Sequence, residues 1–446
     1  MMQKFFKIII CFFAVDFYFF SSHYSFTGPL NTKEILAVIG LVLIAFDWKR
    51  HGRPFVTKEL IGLLITSGLV SFMAFFSTAY HNSIDTLYHT FFLSMLTWLS
   101  GAYAAVRCIY WVHGRTSIET MCKYVVYAAL AQGLAAVIAD MYEPLDILIN
   151  KFVPGMGWMK TIDRLYGFAE TATLDTGGIR FAIASVLCMY LVKFSIDKGR
   201  MKAVSWYLLV FGVLCVTGNM VARTTTVGSL IGLAYLLFEI MPKSFLVPKS
   251  HFKVFGYFVI EAVLVFMLAS ALYRTNANFY NRTRFAFEGF FSLFETGHWE
   301  TSSNNVLMDM YIWPDNLKTW LIGDGYMIDP GYDPNYYGKT YGGGYYKNSD
   351  VGYVRFIYYF GLIGFLFYVG FIVYAGFVCM RKFPHNKFMM LIMMSMTFVI
   401  WMKVATDCFF ILAMFICLGY TRDFVAIQEE TDGQLDEEAG SELITG

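Results

Sequence analysis

Apolar residues in this chain are gathered into long blocks separated by short polar connections, and the blocks fall at 5–20, 35–48, 60–80, 86–111, 121–141 and 179–194. A second set follows at 204–222, 226–241, 255–272, 351–379, 388–401 and 408–425. A helix needs ~20 apolar residues to cross ~30 Å of hydrocarbon. Several blocks are shorter than that, so the pattern predicts an all-α polytopic membrane protein with about twelve transmembrane helices. The first block is followed by no small-residue cleavage pattern and is read as a span, not as a removed signal peptide.

Two stretches interrupt this pattern. Residues 273–350, between the ninth and tenth spans, are polar and rich in tyrosine and glycine, including the run GYDPNYYGKTYGGGYY at 331–346. A polytopic protein that keeps one large extramembrane loop usually works there. A smaller segment, 142–176, mixes Pro144, Pro154 and glycines with Trp158, Leu165 and Phe168, and is expected to hold a short amphipathic helix at the interface. The expected organisation is nine spans over 1–272, the loop 273–350, three spans over 351–425, and a disordered acidic tail over 426–446.

Composition agrees with the pattern: 57% of the 446 residues are hydrophobic, 19% aromatic and only 15% charged, outside the soluble globular range. The net charge of +1 says little, because the distribution of Lys and Arg among loops carries the topological information. Lys49, Arg50, Arg53 and Lys58, then Arg107, Arg115 and Lys123, then Lys193, Lys198, Arg200 and Lys202 fall on one side. So do Lys243, Lys249, Lys253, Arg381, Lys382 and Lys387, whereas 21–31 and 81–85 contain neither residue. The positive-inside rule then puts both termini in the cytoplasm and the large loop outside. All eight cysteines lie in or beside the spans, so the loop offers nothing to an oxidising compartment.

Candidate chemistry collects at the outer ends of spans. Arg223 lies in NMVARTTTVGSLIGLAYLL, where one span ends and the next begins at once beside three threonines. A guanidinium is a planar fork that holds diphosphate through paired hydrogen bonds at any working pH. It equally suits an interfacial anchor. Arg180 in DTGGIRFAIAS starts another span, and Arg282 and Arg284 in NRTRF follow the ninth; Arg355 and Lys403 lie near outer ends of later spans. Several such cations converging would draw in a diphosphate, or each could simply pair with a neighbour such as Glu170, Asp175 or Asp407. Asp350, at the mouth of the tenth span, could take a proton from an acceptor hydroxyl or could cap a helix. Tyr336, Tyr337, Tyr341 and Tyr345 could stack on pyranose rings, or pack on one another. No nucleotide-binding glycine loop, metal-ligand cluster or Asp-x-Asp pattern is present, so neither a metal nor another cofactor is expected.

The Arg223 turn, the large loop and SDVGYVRFIYYFGLIG at 349–364 occur in the order that resembles the O-antigen polymerase and O-antigen ligase family of bacterial membrane glycosyltransferases. The resemblance implies a metal-independent, inverting transfer of glycan from undecaprenyl diphosphate at the periplasmic face of the inner membrane. It implies arginines on the leaving diphosphate, with Arg223 first and Arg284, Arg282 and Arg180 as further candidates. It also implies a lipid-linked oligosaccharide as partner, together with a chain-length regulator and no nucleic acid. Ligases carry a histidine in the loop-to-span motif where this chain has Asn348, Ser349 and Asp350, which favours polymerase over ligase. A transporter of lipid-linked units is the alternative from another class, weakened by the one-sided loop and by the scarcity of midplane charges beyond Asp16 and Glu261.

Overall fold

A computed structural model describes residues 2–51, 57–240, 249–331 and 333–421. It is 77% helical, with no strand among the described residues. Over the described residues each apolar block is largely helical. The helices are α1 (Met2–Phe19), α2 (Thr32–His51), α3 (Lys58–His81), α4 (Phe91–His113), α5 (Ile118–Met141), α6 (Glu143–Phe152), α7 (Leu174–Asp197), α8 (Met201–Val221) and α9 (Thr224–Ile240). There follow α10 (Lys249–Thr275), α11 (Ala277–Ala286), α12 (Glu288–Thr296), α13 (Ser302–Asp309), α14 (Leu317–Ile322), α15 (Gly352–Lys382), α16 (Lys387–Ile400) and α17 (Phe409–Thr421). Seven of them, α3, α4, α5, α7, α8, α10 and α15, are long and apolar enough to cross a membrane. The remaining apolar helices fall short in length or carry more charge. The chain is therefore an all-α, membrane-embedded, multi-pass protein. The acidic tail expected over 426–446 lies outside the described residues.

Helix α7 is the hub. Of its apolar window 83% is buried, against 11% for α10, which leaves most of its surface to the surroundings. Close approach of α7 and α9 rests on small residues. A Cβ added at Gly228 would lie 2.3 Å from Ala182 Cα, and one at Gly178 would lie 3.1 Å from Thr224 Cβ. Small residues at four-residue spacing let helix backbones touch where no hydrophobic effect drives association in lipid. That contact fixes the start of α9, and with it the turn carrying Arg223. Glu261, inside α10, accepts a hydrogen bond from Ser205 on α8, so this intramembrane carboxylate serves as a helix–helix tie.

Connections gather at two ends. At one, 20–31, 82–90, 142–173 and 276–351 are stitched together: Ser25 N–H donates to the Phe152 carbonyl, Ile84 N–H to Asp333, and Asn278 to the Asp140 carbonyl. At the other, Arg200 pairs with Glu119 at 3.4 Å and a cavity of about 300 Å³ lies between Ser117 and His385.

The described residues of the loop, 273–331 and 333–350, grip the bundle through a break in α15. Gly361 there has φ 66° and ψ −176°, a conformation essentially restricted to glycine. The break frees carbonyls that α14 and the following turn collect: Asp324 N–H donates to Tyr358 O at 2.5 Å and Gly325 N–H to Tyr359 O at 3.1 Å. Ser77 on α3 donates to the same Tyr359 carbonyl at 2.8 Å. Buried backbone groups need partners, and here the loop supplies them.

Candidate functional site

At the loop-bearing end, six chain segments bring charge together. Ala222 is extended (φ −159°, ψ 136°) and cannot continue α8, so Arg223 sits in a turn of two residues before α9 begins. Its Nε donates to the Phe285 carbonyl at 3.1 Å and its Nη2 reaches Glu288 at 2.5 Å, while the guanidinium carbon lies 4.3 Å from the centre of the Phe285 ring. Arg164 comes from the connection after α6. It donates to the Val221 carbonyl at 3.2 Å and approaches the same Phe285 ring at 5.0 Å. Lys403, just beyond α16, lies 3.5 Å from Thr224 Oγ1 and 4.0 Å from Asp175.

Asp350 faces this group from the start of α15. The residue at the helix cap is Val351, and no side chain caps the helix, so Asp350 does not play the capping role open to it from sequence. Its own N–H points to the sulfur of Met310 at 3.4 Å, and the neighbouring Ser349 is buried and donates to the Met310 carbonyl at 2.7 Å. Arg355, one turn on, is 6% exposed. It donates to the Met327 carbonyl at 3.2 Å and stacks 3.6 Å from the centre of Tyr345, and its Nε has no hydrogen-bond partner among the described residues.

The electrostatics follow from burial. Desolvation pushes the Asp350 carboxyl above its ordinary range, and Asp175 adds to this, against the opposing pull of Arg355, Lys403 and Arg164. Desolvation likewise lowers Arg164 and Lys403, both partly offset by Asp175. Four cations, Arg164, Arg223, Arg355 and Lys403, thus meet the carboxylates Asp175, Glu288 and Asp350. A partly buried cluster with one more cation than carboxylate is suited to an anion. Perturbed groups of opposite sign in one cluster are also a common mark of a working site.

The other sequence candidates lie elsewhere. Arg180 is buried in the bundle, donating to the Phe19 carbonyl and, at 2.9 Å, to the Thr176 carbonyl, with the Phe410 ring beneath it. Arg282 ties α11 to the end of α5, pairing with Asp140 at 3.3 Å and Asp163 at 2.7 Å. Arg284 forms an exposed fork with Glu295. Among the tyrosines, Tyr336 packs against Tyr326 and Tyr346, Tyr337 is 95% exposed, Tyr341 lies under Lys339, and only Tyr345 reaches the cation cluster through Arg355.

The loop carboxylates serve the loop. Asp324 accepts from Thr319 and Tyr346, Asp329 from Tyr341 and Gly343 N–H, and Asp333 from Tyr326 and Ile84 N–H. Among the described residues no three His, Cys, Asp or Glu side chains form a group able to hold a metal ion. Arg164 was missed from sequence. It lies mid-segment at no helix start, and nothing local marks it.

No family model matches the chain, and no curated protein matches it.

Proposed function

We propose that the protein is a polymerase of lipid-linked oligosaccharide repeat units, of the O-antigen or capsule type, working at the periplasmic face of a bacterial inner membrane. The observation that carries this reading is the gathering of Arg164, Arg355 and Lys403 about Asp350, with Arg223 beside Arg164 and Lys403, at one end of a membrane bundle. Undecaprenyl diphosphate presents its charge at that level of a bilayer while its chain stays in hydrocarbon. The guanidinium forks would hold the diphosphate and neutralise charge as it leaves, a task performed by metal ions in many other transferases. The acceptor hydroxyl oxygen would bond to the anomeric carbon from the opposite face as the bond to the diphosphate oxygen breaks. Its proton would pass to Asp350, whose raised pKa suits a general base.

The test is made in cells. With Arg223→Ala at equal protein level, the surface-glycan ladder collapses to a single attached repeat; Arg223→Lys does not restore it, because a point charge cannot serve the Phe285 carbonyl and an anion at once. Retention of the full ladder removes the proposal. Loss of even the single repeat would point to the ligase reaction instead.

A further inference from the structure

A cavity of about 410 Å³ opens beside the C-terminal half of α1, away from the cation cluster, with Asp16 and Gln132 among its walls. That volume is in the range of small-ligand sites. Asp16 is 5% exposed and Gln132 4%. Gln132 Nε2 donates to both Asp16 oxygens, at 3.1 and 3.2 Å, while Gln132 Oε1 accepts from Phe168 N–H at 2.8 Å. The second bond fixes which way the amide faces. A carboxylate offers about four acceptor positions, and among the described residues one amide nitrogen is all that reaches them. The Tyr24 hydroxyl, in the same wall, is committed to the Phe168 carbonyl at 2.7 Å.

The rest of the wall is aromatic. Ring centres run from Phe13 to Phe17 at 5.7 Å, to Tyr24 at 5.6 Å, to Phe26 at 5.2 Å in a parallel stack, and to Phe152 at 6.2 Å. Phe13 is 47% and Phe26 67% exposed, so the mouth opens on the outside of the bundle. A carboxylate with unspent acceptors in a wall otherwise lined by aromatic rings is an arrangement that attracts an organic cation: rings stabilise its charge and the oxygens take its N–H groups. A carboxylate buried to this extent without a cationic partner is otherwise costly.

We propose that this cavity binds the primary ammonium headgroup of phosphatidylethanolamine, with Asp16 accepting its N–H groups and the aromatic wall facing its charge. A quaternary ammonium has no N–H to offer Asp16. The mouth, bordered by exposed rings beside a bundle helix, favours a lipid over a soluble amine.

The purified protein, placed in mixed bilayer discs of phosphatidylethanolamine, phosphatidylcholine and phosphatidylglycerol and released into native mass spectrometry, should retain the ethanolamine lipid preferentially, on the order of tenfold. Asp16→Asn, which keeps the shape and a partner for Gln132, should abolish the preference at an unchanged melting temperature. Phe26→Ala, at an exposed ring, should weaken it and provides an independent check on the fold. Equal retention of the three lipids, or preference surviving in Asp16→Asn, overturns the proposal. Displacement of the lipid by equimolar free ethanolamine overturns it as well, in favour of a soluble amine.

Discussion

Gly361→Ala tests whether the break in α15 is what fastens the large loop to the bundle. The added Cβ would stand 2.2 Å from the Leu321 carbonyl carbon and oxygen and 2.3 Å from Ile322 N, all backbone atoms of α14 that no rotamer change can move. The φ of 66° with ψ of −176° adds a conformational cost of about 1–3 kcal/mol for a residue with a side chain. Overpacking of this kind costs about 1–3 kcal/mol more. If α14 instead detaches, the bonds from Asp324 and Gly325 are lost; the Tyr359 carbonyl keeps Ser77, but the buried Tyr358 carbonyl is left unmet at about 1–3 kcal/mol. Either route gives a loss on the order of 2–6 kcal/mol. Gly370→Ala on the same helix is the control, since nothing lies within 4 Å of its added Cβ. Thermal melting in detergent, with limited proteolysis followed by mass spectrometry, should show Gly361→Ala melting several degrees below the control and newly cleaved within 310–331. Equal melting and equal protection of the two variants would show that the loop is held by something other than the α15 break.

Removing one partner of the buried pair between Arg282 and Asp140, both near 5% side-chain exposure, should cost about 3–5 kcal/mol, so Arg282→Ala should lower the melting temperature sharply while Arg284→Ala, in an exposed pair, leaves it unchanged. Similar melting of the two would refute the structural assignment of Arg282. Because burial raises the folded-state pKa of Asp350, the folded protein holds that proton to higher pH than the unfolded chain does, and stability is lost as pH rises through the folded value. Asp350→Asn should therefore melt higher than the wild type at neutral pH, with the gap closing toward pH 4, and should lose polymerising activity. An Asn variant no more stable at pH 7 would mean that the surrounding cations outweigh desolvation.

The membrane class and the positions of the apolar helices were legible in the sequence because each depends on a local property, the apolarity of one stretch against the polarity of the next. Arg223 and Asp350 were legible for the same reason: each stands where an apolar block meets a polar one. Which charges meet was decided only by tertiary structure. Arg164 reaches Phe285, Lys403 reaches Thr224 and Asp175, and Arg355 reaches Tyr345, and each contact depends on which helices are neighbours. That adjacency comes from details such as the Gly228–Ala182 contact between α9 and α7. Arg282 and Arg284 look alike in sequence, two residues apart. On a helix that separation turns them to different faces, and one meets Asp140 in the interior while the other meets Glu295 at the surface. The loop tyrosines divide in the same way, Tyr336 into a packed cluster and Tyr345 under a cation. Composition fixes which residues can carry charge or stack, whereas the fold alone fixes their partners, since an ion pair or a ring contact requires proximity in space between residues far apart along the chain.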